Sequence, residues 1–170
     1  MAGKAEKRKI IAVIGGRQAP RNLIKEAEKV GRLIALSGAV LLCGGLSGIM
    51  RAASRGAKKA GGLTVGILPH DNTSRANEYI DVPVATGMGI GRNVIIARTA
   101  DALIAVSGEY GTLSEIAFSL QLKKPVVGIG TWDVEGIVEA ADAEDAVKKA
   151  LKLIGHAPPE KTPPELWNLR

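Results

Sequence analysis

Cysteine and histidine are scarce in this sequence of 170 residues, which has one cysteine, Cys43, and two histidines, His70 and His156. A single cysteine excludes a disulfide within the chain. Three such residues are also too few for the four Cys or His ligands of a structural zinc site. We therefore expect no metal site and no required cofactor, and we interpret Cys43 as a small buried residue.

Aromatic residues are also few, with two tryptophans, two tyrosines and one phenylalanine. They are too scattered to form the stacking platforms that bind single-stranded nucleic acids. The net charge of +6 favours contact with a phosphate backbone, but most Lys and Arg residues are interleaved with Asp and Glu. We therefore expect no nucleic-acid partner, and DNA handling is kept only as an alternative that the basic charge leaves open.

Long apolar runs are missing as well. No run reaches the roughly 20 residues that a membrane-spanning helix needs. The first residues, MAGKAEKRKI, lack the apolar centre of a signal peptide. We expect a soluble, cytoplasmic protein with no membrane partner.

The length and composition are those of one domain. Hydrophobic residues make up 46% of the chain, which is enough for one sizeable core. The composition changes near the end, where residues 157–170 carry four of the eight prolines. We predict a single domain over residues 1–156 and an extended, proline-rich C-terminal arm over residues 157–170.

Strand-like and helix-like segments alternate along the chain. Apolar runs predict strands at residues 9–14, 39–42, 63–68, 79–84, 102–106 and 125–129. Helical spacing of apolar residues predicts helices between them, near residues 23–34, 50–60, 92–99, 112–122 and 142–154. Strands this continuously apolar need cover on both faces. The pattern predicts a Rossmann-like α/β fold, with a doubly wound, mainly parallel sheet and helices on both faces.

Three glycine-rich turns follow predicted strands, at residues 15–18, 43–48 and 107–112. Each alone is typical of a tight turn between a strand and a helix. Together they lie at the carboxyl edge of the sheet, where such folds bind phosphorylated ligands. The candidate ligand- or phosphate-binding residues are Gly15, Gly16, Arg17, Gly44, Gly45, Ser47, Gly48, Asn93, Ser107, Gly108, Glu109, Tyr110, Gly111 and Thr112.

Three other features at this edge carry less weight. The first turn lacks the G-x-G-x-x-G fingerprint, so nothing specific supports a dinucleotide ligand. His70 follows the third predicted strand, at the sheet edge where a side chain can touch a ligand, but a lone histidine after a strand is more often a turn residue, and we interpret it as one. Tyr110 lies on the third turn and is either a surface residue or a platform for a base.

Glu115 is an acid in the second turn of the predicted helix 112–122. Residues three and four apart share a helix face, which puts Glu115 on the side of Gly111, Thr112 and Ser119. The same spacing directs Leu113, Ile116, Ala117 and Leu120 towards the core. An acid near a helix N-terminus also interacts favourably with the helix dipole, so its position alone does not establish a function.

Two segments resemble a known family. GRNVIIARTADALIAVSGEYGTLSEI, residues 91–116, resembles the signature of the Lonely Guy phosphoribohydrolases of the SLOG superfamily, and CGGLSGIM, residues 43–50, is similar to their GGGxxGLM turn. The resemblance implies that Arg92 and Glu115 are the catalytic pair and that Gly108, Gly111 and Thr112 bind phosphate. It also implies hydrolysis of the N-glycosidic bond of a nucleoside 5'-monophosphate.

The sequence departs from this pattern at two places. Ser107-Gly108-Glu109 replaces Pro-Gly-Gly, and Asn93 replaces a lysine. Glu109 would repel a phosphate unless its side chain faces away or pairs with Arg17 or Arg92. This shorter, divergent branch resembles the molybdenum cofactor carrier proteins, which bind a phosphorylated pterin. The alternative to hydrolysis is therefore a non-catalytic carrier for molybdenum cofactor or another phosphorylated ligand.

The helices next to the third turn have more apolar residues than one face requires. Residues 92–99 include Val94, Ile95, Ile96 and Ala97 in succession, and Phe118 lies off the apolar stripe of the next helix. We predict a homodimer or a dimer of dimers with Ile95, Ile96 or Phe118 at the contact. The resemblance also implies sites near a dimer interface.

Overall fold

The computed structural model describes residues 7–156. The arm predicted at residues 157–170, which contains Trp167, lies outside the described residues.

A parallel sheet forms the centre of the described structure. Its strand order is β4-β3-β2-β1-β5-β6-β7, and every neighbouring pair is parallel. The chain runs outward from β1 to one edge and then returns to continue from β5 on the other side of β1, so the order reverses there. The strands are β1 Ile10–Ile14, β2 Val40–Cys43, β3 Thr64–Leu68, β4 Val82–Ala85, β5 Ala102–Val106, β6 Val126–Ile129 and β7 Ile137–Glu139.

Helices cover both faces of the sheet, and the predicted doubly wound α/β fold is confirmed. On one face α1 Arg21–Leu36, α2 Ile49–Lys59 and α5 Ala143–Leu153 pack over the sheet. On the other face lie α3 Asn93–Thr99 and α4 Tyr110–Gln121. Within residues 7–156 no helix is long and apolar enough to cross a membrane.

The burial of the central strands β1 and β5 explains why apolar and polar residues do not alternate along them in the sequence. All five residues of β5 are fully buried, and so are Ile11, Ala12 and Val13 of β1. Both faces of these strands contact helices, so apolar side chains are needed at every position. Their carboxyl ends are thereby fixed side by side, which positions the turns that follow.

The structure corrects several predicted boundaries. A 3-10 turn, Gly89–Arg92, precedes α3, so the helix predicted from residue 92 begins at Asn93. The strand predicted at residues 79–84 is β4, and it starts only at Val82. The short strand β7 was not predicted, because only two of its three residues are apolar and it forms through pairing with β6.

The buried face of α4 also differs from the prediction. Ile116 is buried as expected, but Leu113 and Leu120 are only half-buried and Ala117 is exposed. The buried positions include Thr112, Glu115 and Ser119 instead. The helix therefore turns a polar face inward, towards the carboxyl edge of the sheet.

Two glycines allow α1 and α2 to pack with their backbones in contact. A Cβ atom at Gly31 would lie 1.9 Å from the carbonyl oxygen of Ala53, and one at Gly56 would lie 1.9 Å from that of Glu28. No side chain fits at that distance. The separation of these helices is thus set by the absence of side chains at two positions.

We predict that Gly31→Ala and Gly56→Ala each lower the free energy of unfolding by about 1–3 kcal/mol, because the added methyl group forces the helices apart. Denaturant unfolding measures this. Alanine has a higher helix propensity than glycine, which raises the free energy of unfolding by about 1 kcal/mol and offsets part of this loss. Gly91→Ala is the control, since the nearest atom to its added Cβ is 3.9 Å away. Equal stability of all three variants would contradict this account of the packing.

Candidate functional site

The three glycine turns meet at the carboxyl edge of the sheet and enclose a cavity of about 420 Å³. The cavity lies where the strand order reverses, between β1 and its neighbours β2 and β5. Ten of the predicted site residues line it: Gly15, Gly16, Arg17, Gly44, Arg92, Asn93, Glu109, Gly111, Thr112 and Glu115.

The remaining predicted residues do not line this cavity: Gly45, Ser47, Gly48, Ser107, Gly108 and Tyr110. Several of them shape the turns instead. Gly48 has φ +66°, and a Cβ atom there would lie 2.4 Å from the carbonyl oxygen of Gly16. Gly108 packs under Trp132, whose ring would be 2.9 Å from a Cβ at that position. Sequence spacing does not distinguish these supporting glycines from the lining ones.

Tyr110 is turned away from the cavity. Its side chain is 82% exposed, and its ring lies on Trp132 with the ring centroids 5.8 Å apart. The indole Nε1 of Trp132 donates to the carbonyl oxygen of Glu109 at 3.3 Å. Trp132 and Tyr110 thus support the outer side of the third turn.

Arg92 and Glu115 form a buried ion pair at the floor of the cavity. Arg92 is 7% exposed and Glu115 is 6% exposed. The Nη1 of Arg92 lies 3.4 Å from Oε1 of Glu115, and its Nη2 donates to the carbonyl oxygen of Gly44 at 3.5 Å. The Nε of Arg92 is buried and has no partner within residues 7–156. These contacts are long, so the guanidinium is incompletely satisfied.

Burial is the largest influence on the pKa values of Glu115 and Arg92. It raises the pKa of Glu115 to about 7, although the positive charge of Arg92 acts in the opposite direction. Burial also lowers the pKa of Arg92, against the attraction of Glu115. Because arginine ordinarily titrates far above neutral pH, Arg92 stays charged while Glu115 is partly protonated near pH 7. The floor of the cavity therefore carries net positive charge.

Asn93 holds this pair in place. Its Oδ1 accepts a hydrogen bond of 2.7 Å from Nη1 of Arg92. Its Nδ2 donates to Oγ of Ser114 at 3.0 Å and to the carbonyl oxygen of Gly111 at 3.3 Å. Asn93 thus connects the start of α3 to the first turn of α4, in addition to lining the cavity.

Glu109 neither faces away nor forms an ion pair. In the described residues its carboxylate pairs with neither Arg17 nor Arg92. Its Oε1 accepts from the backbone N–H of Gln18 at 3.4 Å. Glu109 and Thr112 also form a loose capping box at the start of α4. The carboxylate therefore lies between the first and third turns.

The cavity also contains residues that the sequence interpretation did not include. Leu46, Met50 and Ile90 supply apolar wall, and His70 lines the cavity with a buried Nδ1 that has no partner within the described chain. The position of His70 just after β3 was the available signal, since β3 ends at the same edge. Within residues 7–156 no three His, Cys, Asp or Glu side chains gather in a way that could hold a metal ion.

Known proteins share this architecture and much of this sequence. The molybdenum cofactor binding protein from the phototrophic bacterium Rippkaea orientalis is 37% identical, with a TM-score of 0.84 over 88% of this chain and 99% of that one. The molybdenum cofactor carrier protein from Chlamydomonas reinhardtii is also 37% identical, with a TM-score of 0.80 over 87% of this chain and 99% of that one.

A more distant relative is a probable cytokinin riboside 5'-monophosphate phosphoribohydrolase of Oryza sativa subsp. japonica. It is 32% identical over 120 residues, which are 67% of this chain and 49% of the plant protein. The family model described as the SLOG cluster4 family matches residues 8–161. These similarities confirm the resemblance found in the sequence, and the chain belongs to the SLOG cluster4 family.

Proposed function

We propose that the cavity binds a small phosphorylated ligand of the molybdenum cofactor kind and holds it without cleaving it. The observation that carries the proposal is the buried, incompletely satisfied guanidinium of Arg92 at the cavity floor. The similarity to two molybdenum cofactor proteins over almost their whole length supports the choice of ligand.

A buried cation with few partners is costly to the folded protein. Its partner Glu115 has a pKa of about 7 and so compensates the charge only in part near neutral pH. An anionic group in the cavity would supply the missing acceptor, and hydrogen bonds between charged groups are stronger than neutral ones. Arg92 is thus the residue that we expect to bind the anionic part of the ligand.

The rest of the cavity suits a flat ring system with polar edges. Its volume of about 420 Å³ lies in the range of small-molecule sites. Leu46, Met50 and Ile90 offer apolar surface, while the glycine turns expose backbone to the ligand. We expect a pterin or purine ring to lie against this wall, with Arg17 and the turns at residues 15–18 and 43–48 beside it.

The second candidate function is hydrolysis of a nucleoside 5'-monophosphate. Arg92 and Glu115, which match the catalytic pair in the resemblance, lie together in the cavity. Glu115 would orient water or stabilise an oxocarbenium-like ribose, and Arg92 would hold the phosphate. The plant relative gives distant support for this reaction.

We expect purified protein mixed with molybdenum cofactor released from a molybdoenzyme to retain it through gel filtration. Arg92→Gln should reduce the retained molybdenum, measured by mass spectrometry, at least tenfold because the charged donor is lost. Arg98→Gln on the exposed side of α3 is the matched control and should retain it fully.

The same protein should release no ribose 5-phosphate from a panel of nucleoside 5'-monophosphates. Release that disappears in Glu115→Gln would refute the carrier function and establish the hydrolase.

The raised pKa of Glu115 should also make the free energy of unfolding depend on pH. The unfolded carboxyl has its ordinary pKa of 4.5, and the folded one has a pKa of about 7. The folded state therefore binds the proton more tightly, so this contribution is fully present below pH 4.5 and is lost as pH rises through about 7. Between pH 4 and pH 8, the free energy of unfolding measured in urea should fall by up to about 3 kcal/mol more for the wild type than for Glu115→Gln. Parallel pH profiles would rule out the raised pKa.

We further propose that the protein is a homodimer or a dimer of dimers. Phe118 on α4 is 41% exposed, and Ile95 on α3, which packs on the same face of the sheet, is half-buried. Ile96 was predicted as a contact residue, but it is fully buried within the subunit, in a core cluster that also contains residues of β1 and β5, and so cannot meet a partner.

The same face of the sheet continues as apolar surface beyond α3 and α4. Val65 of β3 packs against the core on that side, and Val82 and Val84 are registered with Val65 and Ile67. Val82 is 45% exposed and Val84 is 39% exposed. An apolar sheet face left half-covered next to an apolar helix pair suits a second copy of the chain.

Sedimentation at micromolar concentration should show a dimer or larger assembly. Phe118→Glu should shift the equilibrium from the assembly towards the monomer, because burying an unpaired charge at the interface is unfavourable. Leu153→Glu on α5, which packs on the opposite face of the sheet, is the matched control and should leave the assembly unchanged. A wild-type monomer at that concentration would contradict the proposal.

A further inference from the structure

The carboxylate of Glu109 lies at the N-terminal end of α4, inside the border of the cavity. Its Oε1 is 3.4 Å from the backbone nitrogen of Gln18, and it faces the first turn of α4 through the capping box with Thr112. A Cβ atom at Gly16 would lie 3.0 Å from the same oxygen. The side chain thus bridges the first and third glycine turns.

A negative group has physical reasons to lie there. The N-terminus of α4, a helix of 12 residues, presents backbone N–H groups without helical partners and the positive end of the helix dipole. Such a site ordinarily attracts a phosphate. In this chain a carboxylate that is part of the protein already lies against it.

The cavity has a second place for an anion. Arg92 is 7% exposed, lines the cavity and has an unpartnered Nε. No carboxylate other than that of Glu115 contacts this guanidinium within residues 7–156. The cavity therefore has two groups that attract anions: the N-terminus of α4, which already faces the carboxylate of Glu109, and the guanidinium of Arg92, which has an unpartnered Nε.

We propose that Glu109 determines ligand specificity by acting as a resident anion that excludes phosphate from the N-terminus of α4. The inference rests on the proposed function, in which this cavity binds a phosphorylated ligand. The ligand's phosphate is then directed to Arg92. Nucleoside 5'-monophosphates that place their phosphate on the backbone amides of residues 108–112 are discriminated against, because two negative groups would share one site.

The turn at residues 107–112, which the sequence indicates as the phosphate site, leads into the N-terminus of α4 and its free N–H groups. In our proposal the charge of one side chain decides whether an external anion binds there. Replacing that side chain should therefore be enough to open the site. No change in the fold is required, since Glu109 is exposed at the surface.

The test compares wild type, Glu109→Gln, Glu109→Gly and Glu135→Gln for binding of inorganic phosphate and adenosine 5'-monophosphate. Calorimetry at low ionic strength gives the affinities. Amide NMR spectra report whether the signals of Gln18, Gly111 and Thr112 move on phosphate addition. Glu135→Gln removes the same charge from an exposed position outside the cavity, so it controls for the net charge of the protein.

We expect Glu109→Gln to bind both probes at least tenfold more tightly than wild type and Glu135→Gln, with shifts at Gly111 and Thr112. Glu109→Gly should gain at least as much, because it also removes the bulk of the side chain. Gains no larger than that of Glu135→Gln would overturn the proposal, and so would wild-type phosphate binding that shifts the same amides. Failure of the proposed function would give a different result: Arg92→Gln would retain as much molybdenum cofactor as the wild type.

Discussion

Direct contact between backbones at the glycine turns is the constraint on which the site depends. The N–H of Ile49 donates to the carbonyl oxygen of Gly16 at 3.1 Å, and a Cβ atom at Gly48 would lie 2.4 Å from that oxygen. A Cβ at Gly15 would lie 2.5 Å from the carbonyl oxygen of Val106. The ends of β1 and β5 and the start of α2 therefore approach as closely as chains can. Side chains from three different loops can then converge on one small cavity.

The buried pair at the cavity floor follows from that convergence. The guanidinium of Arg92 lies on Gly44, where a Cβ atom would be only 2.5 Å from Nη2. Asn93 then connects Arg92 to α4, the helix that carries Glu115. Moving two charged groups out of water costs more free energy than contacts of this length regain. A pair retained at this cost, at the edge where α/β folds bind ligands, is better explained by binding than by stability.

The sheet and the three turns could be predicted because they rest on local signals. Apolar runs without alternation indicate strands buried on both faces, and glycines mark the turns. The rest depends on tertiary contacts. The strand β7 exists through its pairing with β6, and Ala117 is exposed because α4 buries Thr112, Glu115 and Ser119 instead. The role of Asn93 as a connection to Ser114 is equally invisible in the sequence, since the two residues are brought together only by the packing of α3 on α4.

The desolvation of Glu115 works against one of its two candidate hydrolytic roles, the stabilisation of an oxocarbenium-like ribose. A glutamate that stabilises an oxocarbenium-like ribose must be ionised, and burial raises the pKa of Glu115 to about 7. A ligand anion placed on Arg92 would compete with Glu115 for the positive charge that favours its ionised form, so it would raise that pKa further. Under the proposed binding role, interactions with the bound ligand would stabilise the ground state rather than the transition state, so they would increase affinity without increasing the rate of hydrolysis. The degree to which Glu115 is desolvated is therefore the property that we propose separates a binding site from a hydrolytic site built from the same two residues.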